Sequence, residues 1–111
     1  MSILSLTFHC TENAFTQWQE YTENELLNLV ENLLDVDQYI VSEVESEMIR
    51  EGNNTNLLLF FSSETLRRDF LESELLNIEE RITKKFGTDV MVFSTLLNPK
   101  SNIFEKQKAA K

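Results

Sequence analysis

Few residues of this chain are suited to acid–base or nucleophilic chemistry, and two of them are adjacent. His9 is the only histidine and Cys10 the only cysteine among the 111 residues. An imidazole titrates near neutral pH and can act as a general base, so His9 is the weak candidate for a catalytic residue. The alternative is a hydrogen-bonded or exposed imidazole at a strand end. Neighbouring side chains of a strand point to opposite faces, which disfavours a Cys–His pair and favours a small buried thiol at Cys10.

A row of three glutamates, Glu43, Glu45 and Glu47, is the next candidate for chemistry. Clustered carboxylates attract hard cations, but this stretch lacks the loop and the glycine of a calcium site. Charged residues also protect an edge strand from pairing with another sheet, and we favour that interpretation. With only two glycines, the chain has no phosphate-binding glycine loop, Cys-x-x-Cys, His-x-x-x-His or serine elbow. We therefore predict no metal site and no cofactor.

Hydrophobic periodicity predicts the elements that hold these residues, since a period of two favours strands and a period of 3.6 favours helices. Thr11 is expected to cap the first helix, in which Trp18 has the spacing of a core residue rather than of a platform for an aromatic ligand. Ser63 is expected to cap the second helix, which bends near Glu72-Ser73 and closes at Gly87. The predicted order is strand Ile3 to Cys10, helix Glu12 to Leu34, strand Gln38 to Met48, strand Asn56 to Ser62, helix to Phe86, and strand Val90 to Leu97.

This order predicts an α+β fold of the ferredoxin-like βαββαβ type, a four-stranded antiparallel sheet with two helices on one face. The third strand, Leu57 to Phe61, is the most apolar run of the chain, and it follows the turn residues Gly52-Asn53-Asn54. In this plan it lies inside the sheet, between the first and second strands. Its alternate residues then face the helices, and Leu58 and Phe60 face the other side.

The sheet face without helices is the predicted ligand-binding or dimer face, formed by Thr7, His9, Leu58 and Phe60. Its two large apolar side chains need a cover. A two-fold axis pairs identical patches, so we expect a homodimer through this sheet face. A small apolar ligand is the second expected partner.

Five stretches, in order along the chain, carry a resemblance to a known family. They are an opening strand, a helix with Glu12 to Trp18, a hairpin ending in Gly52-Asn53-Asn54-Thr55, and the closing stretches Lys85-Phe86-Gly87 and Val92 to Leu97. The chain thereby resembles a group of uncharacterised bacterial proteins of about this length, common in Bacteroidetes and grouped as a domain of unknown function. The resemblance implies a ferredoxin-like fold of the dimeric α+β barrel kind and no established reaction. Two features depart from the family: the second helix has no proline, and the chain ends in a basic tail.

Charge divides the chain into an acidic body and a basic tail. The net charge is −9, and four lysines against one glutamate from Lys100 onward leave residues 1–99 with −12. An acidic body repels phosphate, so we expect neither nucleic-acid nor membrane partners. No secretory signal or apolar stretch of about 20 residues is present, which predicts a cytoplasmic protein. We expect one domain over residues 1–98 and a flexible basic tail over 99–111.

Two functional hypotheses follow from these observations. The favoured one is a non-catalytic homodimeric binding module for a small molecule or a protein partner, because no catalytic constellation accompanies the apolar sheet face. The alternative is a small cofactor-independent enzyme, similar to the monooxygenases with this barrel. It would act on an apolar or aromatic substrate between sheet and helices, with His9 and Thr7 as its polar groups.

Overall fold

The computed structural model describes residues 1–47 and 51–100. Within them, β1 (Ser2–Cys10), β2 (Gln38–Val44), β3 (Asn53–Phe61) and β4 (Val90–Leu97) form one antiparallel sheet. The strand order is β2-β3-β1-β4, so β3 lies between β1 and β2, and β2 is an edge strand, as predicted. Strand β3 begins at Asn53 rather than Asn56, because Asn53 and Asn54 pair with the end of β1 instead of turning. The predicted end of β2 at Met48 lies outside the described residues.

The first helical segment, residues 12–31, is not the uniform helix that we predicted. A 3-10 turn (Glu12–Ala14) leads into α1 (Phe15–Tyr21), a π-helical turn (Thr22–Leu26) and α2 (Leu27–Glu31). In a regular α-helix, Leu26 and Val30 would lie about 80° and 120° around the axis from Trp18. All three side chains are nevertheless buried, because the wider π turn takes up the additional residue.

The ends of the first helical segment also differ from the prediction. Thr11 makes no side-chain cap, and its hydroxyl instead donates to Asp89 Oδ1 at 3.1 Å, which joins the end of β1 to the start of β4. At the other end the segment stops before the predicted Leu34. Asn32 closes it by donating its side-chain amide to the Asn28 carbonyl, and Leu34 is 97% exposed.

The second helical segment, residues 64–86, consists of α3 (Glu64–Glu72) and α4 (Glu74–Phe86). The break at Ser73 confirms the predicted bend, and the Ser73 hydroxyl donates to the carbonyl of Asp69. Ser63 caps α3 as predicted, accepting the amide proton of Leu66 at 3.2 Å. Gly87 closes α4 with a φ of 59°, a conformation that side chains rarely adopt.

Both helical segments cover the same face of the sheet, which confirms the ferredoxin-like α+β fold. The core lies between them and the sheet, and Trp18 is its centre. The indole contacts Phe8 of β1, Tyr21 of α1 and Phe86 of α4, with ring centroids 5.2 to 5.7 Å apart. Trp18 is 1% exposed, which confirms its predicted place in the core. Aromatic pairs at such distances contribute about 0.5–1.5 kcal/mol each beyond the area that they bury.

A buried arginine joins α3 to the ends of β1, a central strand, and β4, an edge strand. Arg67 is 4% exposed, and its Nη1 donates to the carbonyl oxygens of Ile3 at 2.9 Å and Leu97 at 3.1 Å. Its Nη2 donates to Asn98 Oδ1 at 2.9 Å and lies 3.9 Å from the exposed carboxylate of Glu64. A buried guanidinium needs such partners, because an unpaired buried charge is costly.

Candidate functional site

The sheet face opposite the helices, called here the open face, carries an apolar border with no covering element in the described part of the chain. On its two edge strands, Ile40, Met91, Phe93 and Leu97 are 41 to 53% exposed. The registers of β1 and β3 place Leu58 and Phe60, both half-buried, beside Ser5 and Ile3 on this face. All four predicted site residues share it: Thr7, His9, Leu58 and Phe60.

The middle of the open face carries a polar row in which the Asn56 amide is paired within the sheet. The side-chain amide of Asn56 donates to Ser5 Oγ at 2.8 Å, and to Thr7 Oγ1 and the Leu6 carbonyl at 3.3 Å. Covering this amide with another surface therefore costs little in lost hydrogen bonds with water.

His9 lies at the end of this polar row and is held in place from two sides. Its Nδ1 is 2.6 Å from Asn54 Oδ1, which accepts the proton of that nitrogen. Gly52, with a φ of 80°, brings its backbone against the ring, and a Cβ there would lie 3.2 Å from His9 Nε2. In the neutral ring this arrangement leaves Nε2 as the acceptor nitrogen.

A cavity of about 200 Å³ lies on the other side of β2 and β3, against the first helical segment, and we call it the Trp18 cavity. Trp18 forms part of its wall, and the indole Nε1–H donates to Thr55 Oγ1 at 3.3 Å. The π-helical turn contributes Thr22, whose Oγ1 is buried and has no hydrogen-bond partner within the described residues. The complete lining is Phe15, Trp18, Gln19, Thr22, Glu23, Leu27, Val41, Ser42, Glu43, Asn53, Asn54 and Thr55.

The Trp18 cavity and the open face adjoin at Ser42 and Asn54, which line the cavity although their registers place them on the open face. The Asn54 side chain accepts a hydrogen bond from His9, and His9 itself is not part of the lining. His9 therefore contacts a residue of the lining and lies outside the cavity. Thr7, on the open face, is not part of the lining either.

Cys10 is fully buried on the helix side of β1, on the opposite face from His9. Its thiol donates to the Thr11 carbonyl at 3.1 Å. Burial raises the pKa of this thiol above its ordinary value, and the negative charge of Asp89 adds to the effect. A raised pKa disfavours the thiolate, so Cys10 is a core residue and no nucleophile.

Metal sites and membrane-spanning helices can be assessed within the described residues. Among residues 1–47 and 51–100, no three side chains of histidine, cysteine, aspartate or glutamate converge as a metal-binding group. In the same part of the chain, none of the helices has both the length and the apolar character needed to cross a bilayer.

The sequence model of one protein family, described as a domain of unknown function (DUF4286), matches residues 1–100. The chain belongs to this family. No curated protein sequence matches the chain. The family resemblance drawn from the sequence is thus confirmed at the level of a domain of unknown function.

Solved structures with the same fold share little sequence with the DUF4286 chain. A dimeric ferredoxin-like protein from an uncultured marine organism has a TM-score of 0.63 at 12% identity, covering 95% of this chain and 100% of its own. A putative antibiotic biosynthesis monooxygenase from Deinococcus radiodurans gives 0.62 at 12% identity, with the same coverages. SnoaB, a cofactor-independent oxygenase from Streptomyces nogalater, gives 0.59 at 5% identity, covering 94% of this chain and 98% of its own. At these identities the similarity shows the fold alone.

Sequence reasoning missed the Trp18 cavity of the DUF4286 chain and the two carboxylates in its lining. Glu43 was interpreted as a guard of the sheet edge, and Glu23 was not singled out. One signal was available for Glu43. Strand alternation places it on the same face as Val41, toward the helices, rather than on the open face.

Proposed function

We propose that the DUF4286 chain is a non-catalytic homodimeric binding module, in which two copies pair through the open face and the Trp18 cavity of each copy holds a small molecule. The observation that carries the proposal is the exposed apolar border of the open face. Ile40, Met91, Phe93 and Leu97 surround a polar row whose Asn56 amide is paired within the sheet. Covering such a border with another protein surface is favourable, because it removes apolar side chains from water.

A second copy of the chain is the cover that fits best. A two-fold axis brings the same patch onto itself, so the border of one copy meets the border of the other. Sheets that pack face to face lie about 10 Å apart, which lets side chains from both faces interdigitate. Thr7, His9, Leu58 and Phe60 would then lie at the interface. The dimeric ferredoxin-like protein of similar fold supports this assignment.

A measurement of the oligomeric state in solution tests the proposed dimer. At micromolar concentration we expect light scattering to give twice the chain mass of 13.0 kDa. Phe93→Asp places a charge in the proposed interface at a residue that is 53% exposed in the single chain, and it is expected to give monomers. Leu76→Asp is the matched control, since Leu76 is 57% exposed but lies on α4, and it should leave the dimer intact.

A monomeric native chain would overturn the dimer. An equal loss of dimer in both aspartate variants would also contradict the open face as the interface. Circular dichroism at the same concentration shows whether each variant is folded, so that unfolding is not mistaken for dissociation.

A second candidate function is a cofactor-independent enzyme of the monooxygenase type, acting on an apolar or aromatic substrate. The observation that favours it is the contact of 2.6 Å between His9 Nδ1 and Oδ1 of Asn54, a residue that also lines the Trp18 cavity. An oxygen electrode with single-ring hydroquinones as substrates tests this candidate. Oxygen uptake that falls with His9→Gln would favour the enzyme, and uptake no faster than in buffer would favour the binding module.

The remaining expectations from the sequence stay predictions. They are a location in the cytoplasm, a source among the Bacteroidetes, the lack of nucleic-acid partners and the division of the chain at residue 98. The predicted tail from residue 101 onward lies outside the described residues.

A further inference from the structure

We infer that the Trp18 cavity selects a small organic cation with an apolar body, of the aryl-alkyl ammonium class. The inference rests on the small-molecule part of the proposed function and names the chemistry of the ligand. Two properties of the lining carry it, its charge and its apolar wall, and a buried hydroxyl lies beside them.

Two elements of the fold give the lining a negative charge. Glu23 contributes a carboxylate from the π-helical turn, and Glu43 contributes one from β2. Among residues 1–47 and 51–100, no lysine, arginine or histidine lines the cavity. In the part of the chain that the structure describes, the basic side chains in ion pairs are Arg67 with Glu64 and Lys85 with Glu25, so neither cavity carboxylate is neutralised by a salt bridge. A ligand with a positive group gains Coulomb energy here, and an anion is repelled.

The wall between the carboxylates is apolar and accepts a hydrocarbon body. Phe15, Leu27 and Val41 are half-buried and have apolar surface left in the cavity. The Trp18 Nε1–H is already bonded to Thr55, so the indole offers ring carbons rather than a donor. Aromatic walls beside negative charge are the surroundings that ammonium groups favour.

The buried hydroxyl belongs to Thr22. Its Oγ1 has no hydrogen-bond partner within the described residues, although buried polar atoms are normally paired. Thr22 lines the cavity, but this oxygen is shielded from water, so a ligand ammonium would reach it only after the Thr22 side chain rotates. A volume of about 200 Å³ corresponds to roughly six or seven water molecules in the liquid, which limits the ligand to about one aromatic ring and a short chain.

Three phenyl-alkyl probes of similar size test the charge preference: phenethylamine, 2-phenylethanol and phenylacetate. Trp18 is the only tryptophan of the chain, so its fluorescence reports binding in this cavity. At pH 7 and low salt we expect the amine to bind at least about fivefold more tightly than the alcohol, and the carboxylate most weakly. Sodium chloride at 0.5 M should reduce the advantage of the amine.

The double variant Glu23→Gln, Glu43→Gln should remove that advantage and leave binding of the alcohol unchanged. Glu80→Gln, an exposed residue of α4 outside the cavity, is the control for overall charge and should preserve it. Equal binding of amine and alcohol to the native chain would overturn the cationic ligand while the binding module stands. If none of the three probes changes the Trp18 signal, the small-molecule part of the proposed function fails as well.

Discussion

Replacing Arg67 with methionine is expected to lower the free energy of unfolding by about 3 kcal/mol. The guanidinium is 4% exposed and donates three hydrogen bonds of 2.9 to 3.1 Å, two to strand carbonyls and one to Asn98. Hydrogen bonds from a charged donor contribute about 1.5–3 kcal/mol each, but they share one side chain and do not add. Methionine recovers apolar contacts of the arginine stem, which offsets part of the loss. The contact with exposed Glu64 at 3.9 Å adds little.

Urea denaturation followed by circular dichroism measures this loss, with every variant at the same protein concentration because dimerisation stabilises the folded state. Arg68→Met is the control, since Arg68 is the exposed neighbour on α3, and it should change the free energy by no more than about 0.5 kcal/mol. Arg67→Lys keeps the charge but loses the planar fork, and it should fall between the two. Equal losses for the Arg67 and Arg68 variants would refute the role assigned to the buried guanidinium.

Three further predictions concern the core and the turns. Gly52→Ala should destabilise the fold by at least about 1 kcal/mol more than Gly87→Ala, because a Cβ at Gly52 would overlap the Cys10 carbonyl oxygen while Gly87 has open space; equal urea midpoints would contradict this. Thr55→Val should cost about 1 kcal/mol and shift the fluorescence of Trp18, whose indole N–H loses its acceptor; an unchanged midpoint and spectrum would refute it. Burial raises the Cys10 pKa above 9.0, so stability from this thiol is complete below that pH and is lost as pH rises through the folded value. Cys10→Ala should therefore flatten the fall in unfolding free energy above about pH 9, and an unchanged slope would contradict the linkage.

The sheet was predictable because strand alternation encodes it directly. Leu58 and Phe60 fall on the open face, and Leu57 and Leu59 on the core face, as a period of two requires. The chain order of strands and helices then admits few topologies. The bend at Ser73 followed from two apolar stripes that no single straight helix can present to one sheet.

The first helical segment was harder, because apolar residues spaced by multiples of four suggest an ordinary helix even though they drift around its axis. The pattern locates which side chains are buried, but not how the backbone adjusts to bury them. The Trp18 cavity depends on that adjustment and on the approach of β2, which is distant in sequence. Thr11 was misassigned because its hydroxyl has a better partner in Asp89, 78 residues away.

The π-helical turn has a consequence for the length of the chain. If one residue between Tyr21 and Leu26 were deleted, a regular α-helix would carry Leu26 and Val30 at seven and eleven residues from Trp18, within about 20° of it around the axis. An ordinary α-helix that is one residue shorter would then present all three side chains to the core. Burial of these three side chains therefore does not by itself require the additional residue. That residue lies at Thr22–Leu26, the stretch that supplies Thr22 and Glu23 to the cavity wall. We therefore expect relatives whose first helix is one residue shorter to lack this part of the cavity wall. Relatives with a helix of full length should keep it.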